Sequence, residues 1–369
     1  MQRRQFVKYV GLGLTAAGAA TLPSLGWASR ASSREMPSIE WHLASSVPQS
    51  LDIIYKTACG LAKRVADLTD GKFIIHLSAA GEKIPAYGVL DAVRQNTVEC
   101  GHTCGYYYHD ENKAFSLDTA IPFGLSARQM NAWCYDGDGL TLLREFFAKF
   151  NIVNFPGGNS GTQMGGWFRK EIKSPADLRN LRIRIPGFGA EVLRSMKAAP
   201  QMLPGGDIYP ALKSGKLDAA EWVGPYDDEK LGFDKVAKYY YYPAWWEPGP
   251  MFSFYVNKTQ WERLPGPYQA AFDVAAVEAN MSMIASYDAR NPQAIRRLIQ
   301  KGVELRRYPD AILKAAYRAA QKIYAAESAV NEDFKKIYAS MRAFQKDSNF
   351  WMGLAESSMS NFMQTGADA

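Results

Sequence analysis

Glu221 stands in the segment DAAEWVGPYDD (218–228), where small residues precede it and an aromatic follows, so the run reads as the end of a buried strand. A carboxylate in such a place costs several kcal/mol unless something neutralises it. Arg184 is a second charged candidate. In LRNLRIRIPGF (178–188), alternation turns Leu181, Ile183 and Ile185 inward and Arg182 and Arg184 to the other face, with Arg184 nearest the strand end. A planar guanidinium there can take a carboxylate through two parallel hydrogen bonds, and a solvated sheet-edge arginine is the alternative. In NSGTQMGGWF (159–168), Asn159 and Gln163 stand among glycines that let backbone approach a ligand. Tyr107 lies in the run Tyr106–Tyr108, just after a strand, and Glu247 follows Trp245 and Trp246.

These residue types suit holding a small charged ligand. HExxH and GxSxG are absent from the sequence, and His42, His76, His102 and His109 are scattered. An exported metal-dependent hydrolase or lyase is the competing reading, and turnover of the bound acid would reveal it. A sensor subunit passing its ligand-bound form to a receptor is a third.

The elements that must position these residues alternate between strand and helix. Residues 39–44 and 72–79 read as strands and 51–68 as a helix, which predicts an α/β protein with parallel sheets covered by helices. AVRQNTVECGH (92–102) and ALKSGKLDAAE (211–221) align without a gap, each a helix end, a polar turn, an acid (Glu99 or Asp218) and a small-residue strand. With a chain of 369 residues, this predicts two similar lobes. Gly- and Pro-rich segments at 154–161 and 245–252 are the expected crossings between them, forming a hinge beside a ligand cleft. The expected division is a first lobe of 38–157 with part of 249–369, a second of 158–248, and a helical region over 258–369 that clasps the lobes or a second subunit. Its long amphipathic runs are expected at 268–287 and 311–341.

The chain opens MQRRQFVKYVGLGLTAAGAATLPSLGWAS, and Arg3 and Arg4 before a weakly apolar run with a small-residue exit near Ala28 resemble a twin-arginine export signal over 1–28. The run from 10 to 22 is short of the roughly 20 apolar residues a membrane span needs. A soluble protein of the bacterial periplasm is expected. Losing Arg3, Arg4 and Lys8 takes the net charge from +6 to +3, too mild a balance for nucleic acid. Cys100 and Cys104 flanking His102 suggest zinc, but without a second ligand pair the four cysteines are better read as structural.

The runs GYYY, GGN, TQMGGWFR, LRIRIPGF, GGDIYPAL, EWVGPYDDEKLGF and YYYYPAWWE resemble the solute-binding subunit of tripartite ATP-independent periplasmic (TRAP) transporters, the DctP-like family, and its 2-oxo acid binding branch in particular. The resemblance covers essentially the whole chain. It implies a two-lobed periplasmic binding protein fold with a hinge and a long C-terminal helical region. It implies that Arg184 binds the substrate carboxylate and that a cation is held by Gln163, the Glu221 side chain and the backbone carbonyl of Trp222. The cation would be Na⁺, or Ca²⁺ if Glu247 is also ionised beside it. Asn159, Tyr107, Gln163 and Glu247 are matched to the substrate site by local pattern. The implied ligand is a short 2-oxo monocarboxylic acid such as pyruvate, with a 2-hydroxy acid such as lactate and calcium as the alternative. The implied partners are the TRAP membrane permease subunits and a second copy of the chain.

Overall fold

The computed structural model describes residues 36–366, and the expected export segment, 1–28, lies outside them. The strands are β1 (Ile39–Ser45), β2 (Phe73–Ser78), β3 (Cys100–Thr103), β4 (Ile152–Asn159), β5 (Gly166–Phe168), β6 (Arg182–Arg184), β7 (Ala199–Gln201), β8 (Ala219–Ala220), β9 (Tyr239–Tyr242), β10 (Met251–Asn257) and β11 (Glu304–Arg307). They form two sheets, ordered β2-β1-β3-β10-β4 and β11-β9-β5-β8-β6-β7. Each sheet with its helices makes one lobe of an α/β fold. The helix Asp52–Leu68 shows why: Ile53, Ile54, Ala58, Leu61 and Val65 recur at helical spacing and are buried, while its lysines stay outside.

Pairing is parallel from β1 to β2 and β3, from β6 to β7 and β8, and from β9 to β11. The expectation of wholly parallel sheets is corrected at β10, antiparallel to β3 and β4, and at β5, antiparallel to β8 and β9. Both flank a crossing between the sheets, so each enters its sheet from the end opposite to its neighbours.

The internal repeat has a structural counterpart. The helix Val89–Arg94 leads into β3 and the helix Gly205–Lys213 into β8. Asn96 and Gly215, equivalent in the alignment, both take left-handed conformations, with φ of 58° and 76°. Glu99 accepts from the backbone N–H of His42 at 2.7 Å, and its counterpart Asp218 accepts from that of Arg182 at 3.1 Å. The same acid therefore anchors the neighbouring strand in each lobe, and Glu221 occupies in the second lobe the place of His102 in the first.

The crossings lie side by side. Met251 pairs with Asn159 and Phe252 with Gly158, and Ser160 N–H donates to the Pro250 carbonyl at 3.2 Å. Gly158 has φ of 151°, and a Cβ there would stand 2.6 Å from Met283 Sδ, so the hinge strand presses directly on the long helix Gly266–Gln300. That helix packs on Asp52–Leu68 and β4 in the first lobe and on Pro225–Leu231 in the second. It then feeds β11, a third link between the lobes where two were expected.

The region after 258 is thus not helical throughout. Gly302, at φ of 89°, stops the long helix and lets Glu304–Arg307 join the second sheet. The expected run over 311–341 is two helices, Asp310–Val330 and Glu332–Met352, divided at Asn331, whose side chain accepts from Phe334 N–H at 3.0 Å as a cap. The lobes touch across the cleft. Tyr226 Oη lies 3.3 Å from Asp52 Oδ2, Lys230 pairs with Asp52, and Glu191 Oε1 lies 3.1 Å from His109 Nε2 and 2.8 Å from Lys113 Nζ. The lobes are closed on one another.

Candidate functional site

Arg184 ends β6, and β8 brings Glu221 beside it through the register Arg184↔Ala220. Arg182 and Arg184 share a face, yet Arg182 is open to solvent while Arg184 is 1% exposed. The difference is cover. The Trp222 ring lies over the Arg184 guanidinium, 4.8 Å from its carbon, and Tyr107 and Tyr87 of the opposite lobe stand near it. Arg184 therefore belongs to the interior of the cleft and not to a solvated sheet edge.

Glu221 is fully buried, and Arg184 Nη1 donates to its Oε1. Nη1 also reaches the Glu221 carbonyl at 3.3 Å, and Nε donates to the Leu203 carbonyl at 3.0 Å. Two groups are left over: Arg184 Nη2 and Glu221 Oε2 are buried without a protein partner. The Nε and Nη1 positions are engaged by the protein itself, which leaves Nη2 facing the cleft's remaining polar groups.

Gln163 lies at the other end of the cluster. Its amide is within 2.9 Å of Glu247 Oε1, 3.1 Å of the Trp222 carbonyl and 3.3 Å of the Val223 carbonyl, and within 2.8 Å of Ser160 Oγ. In one orientation the two Nε2 hydrogens face those three oxygens and Oε1 accepts from Ser160. In the other, Oε1 joins the three oxygens and Nε2 donates to Ser160. The second orientation gathers an amide oxygen, a carboxylate and two carbonyls, the ligand chemistry of a hard cation.

The carboxyls agree with this. Burial pushes Glu247 well above the usual carboxylate range and the neighbouring Glu221 charge pushes it further, so without a cation the pair disfavours a second negative charge. Burial also raises Glu221, against the pull of Arg184. The set Gln163, Glu221, Trp222 and Glu247 fits a cation by chemistry, and among the described residues no cluster of three His, Cys, Asp or Glu side chains forms a rival site. At the zinc candidate, burial drives the Cys100 and Cys104 thiols far up, His102 is lowered to about 4, and its Nε2 is 3.1 Å from the Gly157 carbonyl.

The other predicted residues divide. Tyr107 is buried against Tyr87 and Tyr106, with ring centroids 4.9 and 5.0 Å away, as a wall of the site. Asn159 serves the hinge: Nδ2 donates to the Gly249 carbonyl at 3.0 Å and Oδ1 accepts from Gly161 N–H at 2.8 Å, so both ends of its amide are used on the crossing strands. Three neighbours were not foreseen from the sequence. Ser160 sits in a Gly-rich run where a serine carries no signal, and Val223 contributes only its carbonyl. Tyr87, in IPAYGVL (84–90), follows the carboxyl end of β2, and that position was the one available clue.

The sequence profile of DctP, described as bacterial extracellular solute-binding protein, family 7, matches residues 44–330. The monocarboxylate 2-oxoacid-binding periplasmic protein of Nostoc sp. strain PCC 7120 is 47% identical over 327 residues, 89% of this chain and 90% of that protein. A TRAP transporter solute-binding protein from Bordetella bronchiseptica RB50, solved as a mixed-occupancy dimer with copurified calcium and picolinate in its active site, is 49% identical. It superposes with a TM-score of 0.88 over 90% of this chain and 99% of that one. Solute-binding proteins from Pseudoalteromonas atlantica T6c, with sodium and pyruvate, and Colwellia psychrerythraea, with calcium and pyruvate, are 33% and 32% identical, with TM-scores of 0.85 and 0.86. Each covers 88% of this chain and 99% of its own. The extent of these matches, on a two-lobed fold with a closed polar cleft, places the chain in the DctP family of bacterial extracellular solute-binding proteins.

Proposed function

We propose that this protein is the periplasmic solute-binding subunit of a TRAP transporter. It captures a short 2-oxo monocarboxylic acid of the pyruvate class together with a metal cation and delivers it to a membrane permease. The observation that carries this is the Gln163 amide set against three oxygens, with a partnerless Glu221 oxygen and a partnerless Arg184 nitrogen in the same buried cluster.

Gln163 Oε1, Glu221 Oε2 and the Trp222 carbonyl would hold the cation, with Glu247 beside them. Such an ion supplies an electropositive seat for a carboxylate oxygen and the adjacent keto oxygen. The chain does the rest. Arg184 supplies charge and Nη2, Trp222 and Tyr107 exclude water, and the lobes close because the ligand touches both. Charge sets the cation. With Glu247 protonated, Arg184 and a monovalent ion balance Glu221 and the substrate; with Glu247 ionised, a divalent ion is needed. Sodium with pyruvate in one relative and calcium with pyruvate in another support a site able to use either.

The export route we favour is twin-arginine, on the strength of Arg3 and Arg4. We also favour a homodimer through the C-terminal helices, where Phe350, Trp351, Leu354, Met359, Phe362 and Met363 are each at least 59% exposed. Calorimetry of chelator-treated protein with pyruvate and lactate, with and without Na⁺ or Ca²⁺, tests the binding reading. Pyruvate should bind only with a cation. Equal affinity without one, or turnover of the acid, contradicts it.

A further inference from the structure

We propose that the Tyr87 hydroxyl is the first lobe's direct ligand to the substrate carboxylate, which it grips jointly with Arg184 Nη2 of the second lobe. The inference rests on the binding function proposed above. Tyr87 Oη and Arg184 Nη2 are both buried and neither makes a hydrogen bond of good geometry to the protein, although Arg184 stands close enough to act on the hydroxyl. Buried polar groups are almost always paired, so two orphans in one cleft mark the place where a third group belongs. Nη2 can only donate, and the Tyr87 hydroxyl can turn its O–H to the same point, so the group that satisfies both is an anion. They come from opposite lobes, Tyr87 from the loop after β2 and Arg184 from the end of β6.

Their nearness shows in their mutual influence, since Arg184 draws the Tyr87 hydroxyl down against a stronger upward push from burial. The net shift is upward, so the hydroxyl keeps its proton and remains a donor at neutral pH. The Tyr87 ring is fixed against Tyr107, centroids 4.9 Å apart, so the hydroxyl is held in place before a ligand arrives. On the Arg184 side, Nε and Nη1 are engaged by Leu203 and Glu221, leaving Nη2. One oxygen of a carboxylate lying between Nη2 and Tyr87 Oη would meet both donors and leave the other for the cation. This arrangement replaces the fork-to-fork grip expected from the sequence. It also explains how a ligand of very few atoms joins two lobes.

The test is Tyr87→Phe, which keeps the ring on Tyr107 and removes one oxygen. Three quantities are read: calorimetric affinity for pyruvate at saturating Ca²⁺, the melting shift with Ca²⁺ alone, and the melting temperature without ligand. We expect pyruvate affinity to fall about tenfold or more, while the calcium-only shift and the ligand-free melting temperature stay at wild-type values. Unchanged pyruvate affinity overturns the inference. So does an equal loss in the ligand-free melting temperature, which makes Tyr87 a packing residue. Failure of the wild-type protein to bind pyruvate with any cation is a different result and removes the proposed function itself.

Discussion

The Gln163 amide and Glu247 Oε1 lie 2.9 Å apart, and which end of the amide faces the carboxyl decides what that pocket can hold. With the nitrogen inward Glu247 and the Trp222 and Val223 carbonyls face a donor of the protein; with the oxygen inward they need a cation. Ser160 Oγ, 2.8 Å from the amide, serves both orientations because a hydroxyl donates or accepts.

Glu247→Gln keeps the shape of that side chain and removes its charge. We expect calcium-supported pyruvate binding to weaken about tenfold or more, with sodium-supported binding held within about threefold. Titration of the variant with pyruvate in each salt measures both, and equal losses in the two salts contradict the charge argument.

Arg184 and Glu221 are a buried pair, 1% and 0% exposed, so removing one strands the other. Arg184→Ala should destabilise the fold by about 3–5 kcal/mol in chemical denaturation and abolish pyruvate binding. Arg184→Met combined with Glu221→Met should recover much of the stability without any of the binding. A double variant as unstable as Arg184→Ala contradicts this account of the pair.

Asp228 is buried and accepts from Trp167 Nε1 at 2.9 Å and Tyr240 Oη at 2.6 Å, and burial raises it to about 7 from an ordinary 3.8. The folded chain therefore holds this proton more tightly than the unfolded chain. The stability it contributes is complete below about pH 4 and is lost as pH rises through about 7. Asp118 and Asp227, raised to about 6, act in the same direction. Asp228→Asn should lose less melting temperature between pH 5 and pH 8 than the wild type does, and an unchanged pH profile contradicts the assignment.

Glu191 is joined across the cleft by Lys113 at 2.8 Å and His109 at 3.1 Å. Lys113→Ala removes part of this clasp, and Lys113 is one-third exposed, so the effect is modest. Pyruvate affinity should fall about threefold at low salt and less at high salt, read by calorimetry at two ionic strengths. No loss at low salt removes the clasp from the closure mechanism.

Deleting residues 353–369 removes Leu354, Met359, Phe362 and Met363 from the surface. Light scattering should show a dimer becoming a monomer, with pyruvate affinity unchanged. A full-length monomer contradicts the interface.

Much of this was legible because the signals were local. The alternation around Arg184, the small residues before Glu221 and the repeat at 92–102 and 211–221 each depend on near neighbours. What escaped depends on contacts distant in sequence. Nothing near Arg184 reveals that Leu203 and Glu221 engage its Nε and Nη1, and nothing near Tyr87 reveals that its hydroxyl comes close to Arg184. The amide of Asn159 was drawn into hinge bonding by Gly249, 90 residues away in the chain. The short strand Glu304–Arg307 escaped because its pairing with β9 follows from where the long helix ends.

The central claim is that a cation and a 2-oxo acid share one buried site between Gln163 and Arg184. A crystal structure of the protein grown with Ca²⁺ and pyruvate, with anomalous data to locate the ion, tests it most directly. The account predicts one calcium bound by Gln163 Oε1, Glu221 Oε2 and the Trp222 carbonyl, with the pyruvate carboxylate between it and Arg184 Nη2. Calcium elsewhere, or pyruvate bound with Gln163 still turned to donate into the cluster, contradicts it.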